Sequence, residues 1–179
     1  HWFFASQTLA FMVWFRPDVD PAVVALPCVN ENGRRRRLVV NEGDEIPLGN
    51  ETIRVLHTPG HTDDSYTFHL IEGDEQYLFT GDTLLIRGTG RTDFQNGSAQ
   101  DQYHSLFGKL LLLPENTWVY PGHDYKGWMR TTIGEEKAHN PRLQVKDVTA
   151  YVELMNNLKL PNPKMMDVAV PANRACGKN

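Results

Sequence analysis

The chain has 179 residues, 40% of them hydrophobic and 10% aromatic, enough to bury one real core and, by length, to form a single domain. A formal charge of −4 and a pI near 6.0 give no basic excess to hold a phosphate backbone, which argues against nucleic acid or an anionic membrane as a partner. The two cysteines, Cys28 and Cys176, lie far apart and outside any CxxC spacing, so neither a disulfide framework nor a zinc–thiolate site is indicated, and a reducing compartment fits best.

Trp2 to Phe15 is apolar but is broken by Ser6-Gln7-Thr8 and closed by Arg16-Pro17, short of the roughly 20 residues that span a bilayer. It has no basic n-region or small-residue cleavage site, and His1 rather than Met leaves upstream processing or truncation open. The basic run Arg34 to Arg37 follows the polar Asn30-Glu31-Asn32-Gly33 and reads as a solvated loop. Leu38-Val39-Val40 precedes a Gly-Asp turn, and Thr52 to Leu56 alternates as a half-buried strand does. Tyr66, Phe68 and Leu70 mark one face of the next strand, and Tyr77 to Thr80 forms a short run suited to burial on both sides. After a long polar loop, Tyr103, Leu106, Phe107, Leu110 and Leu111 recur at helical spacing, with Ser98 and Asp101 as a capping signature. Thr117 to Tyr120 predicts a strand ending at Pro121-Gly122. Thr132 with Glu135 starts a second helix that stops at Asn140-Pro141, and Asp147 caps a third whose Val148, Tyr151, Val152 and Met155 share a face. Strands followed by helices packed on them give a layered α/β architecture.

Three of those strands end in chemistry. Leu56-His57-Thr58-Pro59-Gly60-His61-Thr62-Asp63 follows the first, Thr80-Gly81-Asp82-Thr83 the second, and Tyr120-Pro121-Gly122-His123-Asp124-Tyr125 the third. A lone His or Asp beside a turn is ordinarily a local hydrogen-bonder. Three in order, each at a strand's C-terminal end, are how ligands converge on one metal from a rigid scaffold. Two imidazoles and a carboxylate suit Zn or Fe(II), and spacing alone does not choose between them.

These segments resemble successive metal motifs of the metallo-β-lactamase superfamily. The run Gly81 to Gln95, with His123-Asp124-Tyr125, Asn140-Pro141-Arg142-Leu143 and the tail Val168 to Asn173, resembles its persulfide dioxygenase branch. The likeness spans about residues 38–177, with residues 1–30 unassigned and 31–179 as the incomplete domain, a partial αββα sandwich. It implies a mononuclear Fe(II) enzyme that oxidises glutathione persulfide with O2 to sulfite and glutathione. His61 and Asp82 would be iron ligands, and His123 would lie beside the iron without ligating it. Arg91 and Tyr125, with Arg87, would shape the substrate side, where arginines can hold a carboxylate by bidentate hydrogen bonds. Asp124 would orient a neighbour or its own loop. The compartment implied is a bacterial cytoplasm or the mitochondrial matrix.

The sequence departs from that family at two points. The first metal motif, HxHxDH, is not present, so one histidine of the usual iron triad is missing. Asp64 stands where the family usually carries glycine, a costly exchange if the position needs positive φ. Two other readings stay open: a zinc-dependent, glyoxalase-II-like thioester hydrolase, and a non-enzymatic remnant. An apolar face left open by the missing half would favour the remnant or a homo-oligomer.

Overall fold

The computed structural model describes residues 24–29, 35–94, 96–124 and 126–161, with side chains from residue 40 onward. Tyr125, the tail around residues 168–173, Cys176 and most of the 1–30 segment therefore lie outside the described residues. A hairpin pairs β1 (Val24–Val29) with β2 (Arg35–Val40), from Val24 opposite Val40 to Val29 opposite Arg35. The basic run is thus corrected: Arg35, Arg36 and Arg37 belong to a paired strand rather than a solvated loop, because backbone pairing with β1 outweighs the local charge pattern.

The main sheet is built of β3 (Glu45–Leu48), β4 (Glu51–His57), β5 (Tyr66–Glu72), β6 (Glu75–Gly81), β9 (Trp118–Pro121) and β10 (Thr131–Thr132). Their order across the sheet is β10-β9-β6-β5-β4-β3. β4 and β6 both run antiparallel to β5, and β9 runs parallel to β6. The C-terminal ends of β4, β6 and β9 therefore meet at one edge of the sheet. That topology, more than any local feature, brings the three motif loops together.

Three helices follow: α1 (Ala99–Gly108), α2 (Ile133–His139) and α3 (Val148–Asn156). Each starts at the cap expected from the sequence. Ser98, Thr132 and Asp147 accept from the backbone N–H of Asp101, Glu135 and Ala150, each satisfying an amide with no partner inside its helix. One apolar cluster joins Leu78 and Val119 of the sheet to Leu106, Leu110, Ile133, Tyr151 and Met155. A second gathers Val40, Ile53, Val55, Tyr66, Phe68 and Leu70, with Tyr77 and Phe79 packed against it. Alternation along β6 sends Leu78 and Thr80 to deep burial and leaves Tyr77 and Phe79 half-buried. No helix among the described residues is long and apolar enough to cross a membrane.

The loop after β6 holds a small hairpin, β7 (Leu84–Leu85) with β8 (Gly88–Thr89), where the sequence reads only as polar loop. Asp64 does not have positive φ; among the described residues the non-glycine positions that do are Arg87 and Asn96. Its substitution for glycine therefore carries no backbone strain.

His69 on β5 is 6% exposed, and its Nε2 meets Gln76 Oε1 at 3.0 Å. Burial lowers its pKa from 6.5, and the Arg54 charge adds to the effect. The unfolded chain then binds a proton the folded one refuses, so stability falls as pH drops through the unfolded value and levels off below the folded one. We expect a lower urea midpoint at about pH 5.5 than at about pH 7.5, with the gap narrowed in His69→Gln. An unchanged gap in that variant would assign the acid sensitivity elsewhere.

Candidate metal centre

His61 sits on the loop leaving β4, and each of the three carbonyls leading to it is held by a separate donor. Thr83 Oγ1 donates to Thr58 O at 3.1 Å, Ser105 Oγ to Pro59 O at 2.7 Å, and the Ser98 amide to Gly60 O at 2.8 Å. Gly60 has φ +141, and a Cβ there would fall 2.3 Å from the Gln102 Cβ, so only glycine lets this loop lie on α1. His61 Nδ1 donates to the carbonyl of Arg91 at 2.7 Å. A carbonyl can only accept, so the neutral imidazole is fixed with Nε2 as its lone-pair nitrogen. Nε2 faces Asp82 Oδ2 at 3.5 Å.

Asp82 follows Gly81, whose φ is +52. Its second oxygen, Oδ1, accepts from His123 Nδ1 at 2.6 Å, and that hydrogen bond raises the His123 pKa above 6.5. His61 and Asp82 side chains are about one quarter exposed, His123 more than half. The Gly122 amide donates to Gly81 O at 2.7 Å, tying the β9 loop to the β6 loop.

Ligands about 2.1 Å from a common ion lie about 3.0–3.4 Å apart in octahedral or tetrahedral arrangement. The 3.5 Å between His61 Nε2 and Asp82 Oδ2 therefore fits a shared metal. Gly90 makes room for the His61 ring and the Asp82 backbone: a Cβ there would lie 2.2 Å from the Asp82 carbonyl oxygen and 2.9 Å from His61 Nδ1. Among the described residues no group of three or more His, Cys, Asp and Glu is placed to hold a metal. The site thus offers two ligands, with His123 bonded to Asp82.

The two arginines are already engaged. Arg91 makes a bidentate pair with Asp93 at 2.6 and 2.7 Å, donates to Pro161 O at 3.0 Å and lies 4.0 Å from the Phe94 ring centroid. The pair holds the Asp93 carboxyl below the usual carboxylate range. It is thus the Arg91 carbonyl, rather than its guanidinium, that touches His61. Arg87 turns toward α2, where its Nη1 meets Glu136 Oε1 at 2.6 Å and its Nη2 pairs with Glu135. Asp124 accepts from the amides of Lys126 and Trp128 at 2.9 and 2.6 Å, organising its own loop. A cavity of about 100 Å³ between Arg91–Asp93 and the end of α3, at Met155, Asn156, Leu158 and Leu160, is smaller than the ~300 Å³ of an ordinary ligand pocket. Gly90, Gly122 and Thr83 lie inside the quoted motif segments, but nothing in the sequence assigns them the packing and bridging roles they have here.

The metallo-beta-lactamase superfamily profile matches residues 14–123, beginning inside the segment left unassigned from sequence. The chain is 45% identical over 146 residues to the mouse protein "Persulfide dioxygenase ETHE1, mitochondrial", covering 82% of this chain and 56% of that protein. The crystal structure of ETHE1 from Myxococcus xanthus superimposes with TM-score 0.69 at 55% identity, over 78% of this chain and 60% of that one. A probable hydroxyacylglutathione hydrolase of Schizosaccharomyces pombe is 34% identical over 158 residues, 72% of this chain and 59% of that protein. The chain spans a little over half the length of these relatives. With a profile match over more than half of its length and His61 and Asp82 set at the shared edge of one sheet, the chain belongs to the metallo-beta-lactamase superfamily, and persulfide dioxygenases are among its similar relatives.

Proposed function

We propose that the complete protein is an Fe(II)-dependent persulfide dioxygenase, oxidising glutathione persulfide with O2 and water to sulfite, glutathione and two protons. In that balance the terminal sulfur gives up four electrons, O2 takes them, and the S–S bond breaks to return the thiol. The observation that carries the reading is the pairing of His61 Nε2 with Asp82 Oδ2 at 3.5 Å in a chain about 45% identical to a named persulfide dioxygenase. His61 and Asp82 would hold the iron, which supplies open positions for O2 and a sulfur ligand when bound. The third protein ligand would come from an HxHxDH segment, which this sequence does not contain. The Arg91 carbonyl keeps His61 in the ligating tautomer. His123, bonded to Asp82, orients that carboxylate and can carry a proton at the rim of the site. Substrate contacts are assigned to Arg91 and Tyr125, and to Arg87 through its place in the β7–β8 turn. A matrix or cytoplasmic compartment suits the thiol substrate.

The S. pombe relative favours a second reading, a thioester hydrolase in which His61 and Asp82 would hold zinc and the ion would supply Lewis acidity toward the carbonyl. Anaerobic purification followed by iron and zinc analysis, with O2 uptake measured on glutathione persulfide, separates the two. Stoichiometric iron and persulfide-dependent uptake, both lost in His61→Ala and Asp82→Ala, is the expected result. Zinc with thioester hydrolysis would support the second reading. No metal and no turnover in either this chain or a longer form carrying the HxHxDH segment would leave a non-enzymatic remnant.

A further inference from the structure

We infer that Thr58 and Thr83 are positioning residues that set the separation of His61 and Asp82 through a directed chain of buried hydroxyls. The inference rests on the reading of His61 and Asp82 as co-ligands of one metal.

Thr58, Thr67 and Thr83 are each 0–1% exposed, and their oxygens form a continuous ladder. Thr67 Oγ1 lies 2.9 Å from Thr58 Oγ1, which lies 3.2 Å from Thr83 Oγ1, which lies 3.1 Å from the carbonyl of Thr58. Each hydroxyl has one proton, and that fixes the direction. Thr83 must donate to the carbonyl, which can only accept. Thr58 must then donate to Thr83, and Thr67 to Thr58. Every hydroxyl in the ladder is satisfied in this one arrangement, and leaving one unsatisfied at this depth is costly because no water reaches it.

The ladder spans the two ligand loops. Thr83 is next in sequence to Asp82, and Thr58 stands three residues before His61. The same Thr83 oxygen is bonded both to the side chain and to the main chain of Thr58. The donors that hold the next two carbonyls of the His61 loop, Ser105 and Ser98, come from α1 and its cap and carry no information about where Asp82 lies. Thr83 does, because it joins the loops directly. Thr67 on β5 lies one step further back and feeds a proton to Thr58 without touching either ligand loop's main chain.

That difference makes the proposal testable with Thr83→Val, Thr83→Ser and Thr67→Val. The readouts are the His61 ring nitrogen resonances of the metal-free chain and its Co(II) affinity by titration. Thr83→Val should move the His61 resonances and weaken Co(II) binding about tenfold, the usual scale for groups that orient ligands, and Thr83→Ser should restore both. Thr67→Val should lower the melting temperature while leaving both readouts at parental values. A Thr83→Val chain with lowered melting temperature but unchanged His61 resonances and affinity would overturn the inference, as would a Thr67→Val chain showing equal shifts. If Thr83→Val does not fold, Thr83→Ala removes the hydroxyl without adding a methyl and is read in the same way. If the parent binds no Co(II), the co-ligand reading fails, and the His61 resonances alone decide the ladder: moved by Thr83→Val and restored by Thr83→Ser, it stands; unmoved, it falls.

Discussion

Gly90→Ala is expected to dismantle the candidate metal site at His61 and Asp82. The added Cβ would fall 2.2 Å from the carbonyl oxygen of Asp82 and 2.9 Å from both Cγ and Nδ1 of His61. Neither neighbour can yield cheaply. One is the Asp82 backbone, and the other is a ring held by the Arg91 carbonyl at 2.7 Å. Because Arg91 is the next residue, displacing Gly90 also displaces the group that fixes the His61 tautomer. Gly90 is not among the positive-φ glycines, so the demand here is for space rather than for an unusual backbone conformation. Overpacking of this kind costs about 1–3 kcal/mol where side chains can adjust, and more where backbone must move. We expect a loss of about 3 kcal/mol in urea unfolding and metal binding weakened about a hundredfold. Gly88→Ala is the control: it lies two residues earlier, with nothing within 4 Å of the new methyl, and should behave like the parent. Equal stabilities for the two variants would refute this account of the site.

Gly90 also marks the limit of what the sequence discloses. The strand ends carrying His61, Asp82 and His123 were legible because each combines an apolar run with turn residues and a polar donor, all local signals. The three helix starts were legible for the same reason, since a Ser, Thr or Asp cap acts on an amide only three residues away. The strands at β7, β8 and β10 are two residues each, too short for any periodicity to register. The partners of the arginines were hidden for a different reason. Arg87 and Glu136 are 49 positions apart, and only the packing of α2 against the β7–β8 hairpin brings them together. The guanidinium groups of Arg87 and Arg91 were read as substrate contacts because arginine is the common partner of a carboxylate. The structure supplies carboxylates from the chain itself, at Glu135 and Glu136 for one and Asp93 for the other. A substrate that reaches either arginine must therefore share it with, or displace it from, an existing pair.

Three anchors act on the segment from Asp82 to Arg91. At one end Thr83 bonds the His61 loop, and at the other the Arg91–Asp93 pair and the Pro161 carbonyl hold the strand exit against the end of α3. Between them the β7–β8 turn is held from α2. Metal ligands on loops are only as well placed as the elements that hold those loops, and here three separate elements hold one loop of ten residues.

The α2 anchor is the source of the second large expected effect. Glu136 is fully buried, and its carboxylate accepts four hydrogen bonds: from the Arg87 amide at 2.8 Å, Arg87 Nη1 at 2.6 Å, Thr131 Oγ1 at 2.9 Å and Asn140 Nδ2 at 2.8 Å. Arg87 has φ 56, an uncommon conformation for a long side chain, and both its amide and its guanidinium are held by this one acid. Glu136→Ala removes the acceptor for all four donors and leaves the Arg87 charge, 20% exposed, with only the half-exposed Glu135. Breaking a buried pair from one side costs about 3–5 kcal/mol, and we expect the variant's urea midpoint to fall by that equivalent. Glu136→Gln keeps the shape and two acceptor lone pairs but not the charge, so it should recover part of the loss. Glu135→Ala, at a half-exposed position, should cost less than about 1 kcal/mol, as exposed pairs do. The order Ala at 136, then Gln at 136, then Ala at 135 is the diagnostic. A Glu136→Ala chain as stable as Glu135→Ala would mean that the β7–β8 turn holds its conformation without α2.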